Sequence, residues 1–151
     1  MNQNFIELGL EDVIVQAVDR LGFEKPSPVQ EKCIPVVLNE DTDLVALAQT
    51  GTGKTASFGL PLIQKIDNDN RKTQALVLAP TRELCIQIAA DLKDFAHFKK
   101  TNVVAVYGGA SITDQAKKLK KGAQIIVATP GRLQDMINRK LVNLSHIDYL
   151  V

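Results

Sequence analysis

The chain has 151 residues, which is enough for one domain with a hydrophobic core. Hydrophobic residues make up 45% and charged residues 23%, the ordinary balance of a soluble globular protein. A net charge of +1 excludes a strong overall field directed at nucleic acid or membrane, so any basic surface has to be local.

The predicted elements alternate between helix and strand along the chain. Apolar residues at helical spacing predict a helix over 11–21, and Ser27 followed by Pro28 predicts the start of the next. The further predicted helices are 54–66, 82–98, 111–121 and 130–139, and the predicted strands are 43–47, 75–79, 103–106, 125–128 and the start of one at 147–151.

Short apolar strands that alternate with amphipathic helices are typical of an α/β fold with a parallel sheet covered on both faces. Ligands of such folds bind beyond the carboxyl ends of the strands. Four segments with turn or phosphate-binding character follow the first four predicted strands, and we expect all four on one edge of the sheet. They are 48–55, 80–83, 108–109 and 129–132.

The segment Ala48-Gln49-Thr50-Gly51-Thr52-Gly53-Lys54-Thr55 has the sequence of a phosphate-binding loop. Gly51 and Gly53 allow a tight turn whose N–H groups point at an anion, and the following helix N-terminus favours negative charge. Lys54 can reach the β- and γ-phosphates, and the Thr55 hydroxyl can bind Mg²⁺. Ala48 departs from the general pattern, which has Gly there.

The segment Gly22 to Gln30 lies upstream of this loop. A Gln side chain offers a donor and an acceptor, so Gln30 can pair with adenine N6 and N7 at once. Phe23 could stack on the base. Taken alone, the segment is a Pro-rich turn before a helix, with Phe23 in the core.

Together these segments resemble the DEAD-box RNA helicases over essentially the whole chain, with a bacterial look. The Q motif corresponds to Gly22–Gln30 with the upstream aromatic Phe5, and motif I to 48–55, where Ala48 is the family's usual first residue. Motif Ia corresponds to 80–84, the Gly-Gly motif to 108–109 and motif Ib to 129–132. The resemblance implies a RecA-like three-layer sandwich with a mostly parallel sheet.

The resemblance also implies ATP and Mg²⁺ as cofactors and RNA as the partner. Lys54 and Thr55 would be the catalytic residues, and Thr55 would hold the metal. The nucleotide would be bound by Phe23, Lys25, Gln30, Ala48, Gln49, Thr50, Gly51, Thr52, Gly53, Lys54 and Thr55. RNA would be bound through its backbone by Pro80, Thr81, Arg82, Gly108, Gly109, Thr129, Gly131 and Arg132.

Several of these residues also have a structural interpretation that involves no RNA or nucleotide. Arg82 could start a surface helix in an ion pair with Glu83 or Asp91, and Arg132 could have a structural role. The lysines of 117–121 are interpreted as a solvated helix face, because Ala116 and Leu119 form a buried stripe between them.

The family's Asp-Glu-Ala-Asp box and its second RecA-like domain do not occur in these 151 residues. We therefore expect a truncated first domain, with a Q-motif region at 1–33 and a P-loop part at 34–151, that binds adenine nucleotide without hydrolysing ATP efficiently. The strand that follows the box in the family would also be missing. We therefore expect either lowered stability with a tendency to associate, or a longer parent chain of which these residues are a part.

Two other classes of protein are alternatives to the helicase. One is a small P-loop kinase, for which an Arg-rich lid is missing from the sequence. The other is a non-catalytic module that binds nucleotide or RNA.

Cys33 and Cys85 lie in apolar helical patterns without metal-ligand spacing, which predicts buried, reduced cysteines. The N-terminus lacks the features of a signal peptide, and no apolar run approaches the length of a membrane span. A cytoplasmic protein without a membrane partner is expected.

Overall fold

The computed structural model describes residues 1–151. The helices are α1 Gln3–Glu7, α2 Asp12–Arg20, α3 Pro28–Asn39, α4 Lys54–Lys65, α5 Arg82–Phe95, α6 Ile112–Lys120 and α7 Pro130–Asn138. The strands are β1 Ala75–Leu78, β2 Val103–Val106, β3 Ile125–Ala128 and β4 Tyr149–Leu150. None of the helices is both long and apolar enough to cross a membrane.

The chain forms two compact units. The first consists of Met1–Lys65 with Asp94–Lys100, and the second of Ile66–Lys93 with Thr101–Val151. The predicted division into 1–33 and 34–151 stays a prediction.

Helices α1 to α4 form the first unit. Its core contains fully buried side chains from each of these helices: Phe5, Ile14, Val18, Ile34, Leu60 and Ile63. Helix α3 begins as predicted, with Ser27 as the N-cap and Pro28 in the first turn. The side chain of Gln30 accepts a hydrogen bond from the Ser27 N–H, which completes a capping box.

The second unit contains a four-stranded parallel sheet in the order β2-β3-β1-β4. β3 is the centre of the pairing, with Ala75 of β1 and Val103 of β2 both opposite Ile125. The strands are almost wholly apolar, as expected of a sheet buried on both faces. The predicted α/β fold with a parallel sheet is confirmed.

Helices cover both faces of this sheet. On one face, buried residues of the strands pack with Ala116 of α6 and with Leu133 and Met136 of α7. On the other face lies α5, whose Cys85 Sγ donates a hydrogen bond to the Val127 carbonyl at 3.2 Å. Burial raises the pKa of the Cys85 thiol, and hydrogen bonding to the backbone of Val106 and Thr129 acts in the opposite direction. Cys33 and Cys85 are both buried and free, as predicted.

One predicted strand is wrong. Residues 43–47 have no regular secondary structure, and the exposed fractions of Leu44, Val45 and Leu47 are 44%, 87% and 94%. An apolar sequence favours a strand, but a strand exists only where a neighbour accepts and donates its backbone hydrogen bonds. No strand of the sheet pairs with this segment. The phosphate-binding loop therefore does not follow a strand, and only three of the four segments end strands of the sheet.

Two smaller differences concern helices. The first helix, α1, has only five residues and has no counterpart among the predicted elements. Helix α5 ends at Phe95, before its predicted end at Phe98, and residues 96–100 form turns.

Candidate functional site

The loop from Ala48 to Gly53 leads into α4, which starts at Lys54. Gly51 and Gly53 have φ of +78° and +82°, a conformation that glycine adopts without strain. The first turn of α4 has backbone N–H groups without partners inside the helix, together with the positive end of the helix dipole. This arrangement is the one that binds anions at helix N-termini, and phosphate binding by the loop stays a prediction.

Two side chains close the loop on itself, and a third hydrogen bond lies in the first turn of α4. Lys54 Nζ donates to the Ala48 carbonyl at 2.8 Å, and Thr52 Oγ1 donates to the Gln49 carbonyl at 2.6 Å. Ser57 Oγ donates to the Lys54 carbonyl at 2.6 Å. Lys54 is exposed at this position, so a phosphate can replace the Ala48 carbonyl as its partner.

Gln30 connects the segment 22–30 to the loop. Its Nε2 donates to the Gly53 carbonyl at 3.2 Å, while its Oε1 accepts from the Ser27 N–H at 3.0 Å. The side chain is almost fully buried, with 4% of Gln30 exposed. Both ends of the amide are thus engaged within the protein, and adenine recognition by Gln30 would exchange at least one of these contacts.

Ser27 makes a second connection that the sequence reasoning missed. Its Oγ donates to the Thr52 carbonyl at 2.8 Å. The sequence indicated Ser27 only as a helix N-cap. The signal that was available is the spacing Ser-x-x-Gln, which places both side chains at the start of α3.

Phe23 is half-buried and lies among other aromatic rings. Its ring centroid is 6.2 Å from that of Phe5 and 6.4 Å from that of Phe95. The backbone around it is held by Asn2, whose Nδ2 donates to the carbonyls of Phe23 and Glu24. Phe23 is thus packed in the first unit, with part of its surface open, and Lys25 beside it is exposed.

The other candidate residues lie at the carboxyl ends of β1, β2 and β3. These strands are parallel neighbours, and the Thr129 N–H donates to the Val106 carbonyl at 2.9 Å. Pro80, Thr81, Arg82, Gly108, Gly109 and Gly131 are exposed there, and Thr129 and Arg132 are half-buried. The sheet therefore brings the three predicted segments of the second unit to one edge.

Arg82 and the glycine pair are in direct proximity. The guanidinium of Arg82 lies 5.3 Å from the centroid of the Tyr107 ring. Gly109 has φ of +79°, and a Cβ built on it would lie 2.7 Å from Arg82 Nη1. The positive φ favours glycine at this position, and a Cβ there would displace the guanidinium. A cation and the exposed glycine backbone therefore share one small surface.

The guanidinium of Arg132 is hydrogen-bonded within the second unit. Its Nη1 and Nη2 donate to the Ala110 carbonyl at 3.1 and 3.0 Å, and Nη1 also donates to Gln115 Oε1 at 3.0 Å. These contacts are the ones expected if Arg132 has a structural role, which is its alternative interpretation. A phosphate contact of the same guanidinium stays a prediction.

The lysines of 117–121 lie on the exposed side of α6. Ala116 is buried and Leu119 is partly buried against the apolar cluster of the sheet, while the four lysines point to solvent. The interpretation as a solvated helix face is confirmed.

Comparison with known proteins gives consistent matches. The family described as DEAD/DEAH box helicase matches residues 27–151. The ATP-dependent RNA helicase CshA of Listeria monocytogenes is 52% identical over 147 residues, and DeaD of Escherichia coli is 49% identical over 148 residues. Both matches include 97% of this chain, which spans 28% and 23% of these relatives.

Solved structures are similar as well. A DEAD box protein from Methanococcus jannaschii is 46% identical with a TM-score of 0.92, covering 97% of this chain and 40% of that one. Prp28 from Chaetomium thermophilum bound to ADP is 45% identical with a TM-score of 0.87, covering 95% and 36%. Dbp5 from S. cerevisiae bound to RNA and ADP BeF3 is 32% identical with a TM-score of 0.86, covering 97% and 37%.

Proposed function

The chain belongs to the DEAD/DEAH box helicase family, and we propose that it is the adenine-nucleotide-binding part of an ATP-dependent RNA helicase. The observation that carries this proposal is the contact of Gln30 with the Gly53 carbonyl. It joins a side chain able to recognise adenine to a loop able to bind phosphate.

The residues fit ATP at the loop. At position 53 the backbone has positive φ, and a Cβ there would overlap the Gln30 amide nitrogen, so the loop depends on this glycine. Gln49 to Thr55 would hold the phosphates, Gln30 with Phe23 and a backbone carbonyl near Lys25 would hold the adenine, and Thr55 would contribute a ligand to Mg²⁺. The metal would neutralise the phosphate charge when the nucleotide is bound.

RNA would be bound at the carboxyl ends of β1 to β3. Arg82 supplies a cation there, and the exposed Gly108 and Gly109 allow a phosphate to approach the backbone. Thr81 and Thr129 add hydroxyl groups at the same edge. None of these residues has the donor and acceptor pattern that reads a base edge, so the proposed binding tolerates different sequences.

The 151 residues alone are proposed to bind nucleotide without efficient hydrolysis. Hydrolysis needs carboxylate ligands for the metal and a group that orients the attacking water. The segment 48–55 supplies the Thr55 hydroxyl as a proposed metal ligand and contains no carboxylate. For this chain in isolation, a non-catalytic nucleotide- and RNA-binding module is therefore the second candidate, whereas the family match disfavours a P-loop kinase.

Self-association and a cytoplasmic location complete the proposal. Leu44, Val45 and Leu47 are exposed in a row, and β4 pairs with a strand on one side only. Exposed apolar segments and open sheet edges favour association between chains. Cys33 and Cys85 are buried and free, which is typical of proteins in a reducing compartment such as the cytoplasm.

The proposal is tested by measuring RNA binding and ATP hydrolysis on the purified chain. Two single-stranded RNAs of equal length and unrelated sequence are expected to bind with affinities within about threefold of each other. Both affinities are expected to fall as salt rises, because the contacts are to phosphate. ATP turnover with RNA is expected to stay at background, and a clear RNA-stimulated ATPase signal would contradict the proposed inactivity.

A further inference from the structure

The geometry points to Gln115 as a positioning residue that fixes the Gly108-Gly109 loop for contact with a nucleic-acid phosphate. The inference rests on the proposed function, because that function makes the loop an RNA contact. Gln115 lies in α6, outside every segment that indicated RNA binding from the sequence.

Gln115 and Arg132 hold the two ends of this loop. Gln115 Nε2 donates to the Tyr107 carbonyl at 3.0 Å, and both terminal nitrogens of Arg132 donate to the Ala110 carbonyl. The two side chains are joined to each other, since Arg132 Nη1 donates to Gln115 Oε1 at 3.0 Å. One hydrogen-bonded pair therefore fixes the carbonyls on either side of the two glycines.

The loop needs such support because of its composition. Two successive glycines have more conformational freedom to lose than any other pair of residues. Gly109 has positive φ and lies next to the Arg82 guanidinium, so a small change in the loop changes the distance between this cation and the loop N–H groups. A site that holds a phosphate through backbone N–H groups depends on their geometry.

Gln115 makes the hydrogen bonds of both ends of its amide within the protein. It is 5% exposed, and both polar ends of its amide have partners. An apolar side chain of similar size would leave the Tyr107 carbonyl without this donor and Arg132 without this acceptor. Gln115 thus acts on the phosphate contact through the loop and through Arg132, without touching the RNA.

The test compares two buried glutamines of the same unit. Gln124 is 6% exposed and is hydrogen-bonded to Asn102 N–H and the Asn68 carbonyl, near the start of β3. Gln115→Leu and Gln124→Leu both remove a buried amide, so both are expected to lower the melting temperature. Only Gln115→Leu is expected to lower the NMR backbone order parameters of Gly108, Gly109 and Ala110, and to weaken RNA binding about tenfold.

Two further variants test the positioning role of Gln115 if Gln115→Leu folds poorly. Gln115→Glu keeps an acceptor for Arg132 and loses the donor to Tyr107, so an intermediate loss of RNA affinity is expected. Arg132→Met in the Gln115→Leu background is expected to weaken RNA binding by less than the two single losses together, because the two side chains share one hydrogen bond.

The possible results distinguish failure of the proposed RNA site from failure of the positioning role of Gln115. Absence of RNA binding by the unsubstituted chain would overturn the proposed RNA site and this inference with it. Unchanged order parameters of the loop and unchanged RNA affinity in Gln115→Leu, with RNA binding by the unsubstituted chain, would overturn the positioning role alone. Equal losses of RNA affinity in Gln115→Leu and Gln124→Leu would also overturn it, since general destabilisation would then suffice.

Discussion

Gly53→Ala is expected to lower the affinity for adenine nucleotide by at least about a hundredfold. The residue has φ of +82°, which costs a non-glycine residue about 1–2 kcal/mol. The new Cβ would also overlap Gln30 Nε2 and displace the amide from the Gly53 carbonyl. The substitution therefore disturbs the phosphate loop and the adenine-recognising side chain at once. Titration with a fluorescent adenine nucleotide measures the loss.

Gly9→Ala is the matched control for this loss. Gly9 has φ of +95°, and the nearest atom to a Cβ there is the end of the Leu38 side chain at 3.3 Å. The same backbone strain is thus introduced in the first unit, away from the loop. Gly9→Ala is expected to lower the melting temperature and to leave nucleotide affinity within about twofold. A Gly53→Ala chain that binds nucleotide as well as the Gly9→Ala chain would contradict the role of position 53.

Gly109→Ala is expected to reduce RNA affinity more than any other single methyl addition at the carboxyl ends of the strands. Its φ is +79°, and the new Cβ would lie 2.7 Å from Arg82 Nη1, which pushes the guanidinium away from the Tyr107 ring. Both a cation and the neighbouring N–H groups would be displaced, so a loss of about tenfold to a hundredfold is expected. Fluorescence anisotropy with a labelled single-stranded RNA at low salt measures it.

Gly122→Ala separates this effect from backbone strain. Gly122 has φ of +98° and lies at the end of α6, with its nearest neighbours at 3.5 Å in Arg71. The variant is expected to lose stability by a similar amount and to keep its RNA affinity. If Gly109→Ala and Gly122→Ala bind RNA equally well, the Gly108-Gly109 loop is not part of the RNA site.

Elements with strong local signals could be predicted from the sequence. Ser27 and Pro28 mark the start of α3, and the apolar tetrads at 75–78, 103–106 and 125–128 became neighbouring parallel strands. In each case the local preference and the tertiary environment agree, because a short apolar segment between helices has its best burial in a parallel sheet. The α/β fold could be deduced from these elements alone.

The segment 43–47 shows where local reasoning fails. Its composition is as strand-like as that of β1, yet Val45 and Leu47 are almost fully exposed. Pairing partners decide whether such a segment becomes a strand, and partners are not encoded in the segment itself. A prediction based on periodicity has no access to that information.

In the candidate site, too, local patterns could be read from the sequence and long-range contacts could not. Gly51, Gly53 and Lys54 are predicted from the pattern of a phosphate-binding loop and Arg82 from the resemblance to the family, and their roles stay predictions. The hydrogen bonds of Ser27 with Thr52, of Gln30 with Gly53 and of Arg132 with Gln115 join residues that are 25, 23 and 17 positions apart. Side-chain contacts over such distances follow from the packing of helices and strands, so the sequence pattern could not indicate them.

Competition of ADP and GDP for the site of a fluorescent adenine nucleotide, measured on this 151-residue chain, tests the central claim most directly. We expect ADP to displace the probe far better than GDP, because the Gln30 amide can pair with adenine, whereas guanine presents two acceptors at the corresponding positions. Equal displacement by ADP and GDP would contradict the role of Gln30, and absence of probe binding would contradict the claim that these residues form a nucleotide site.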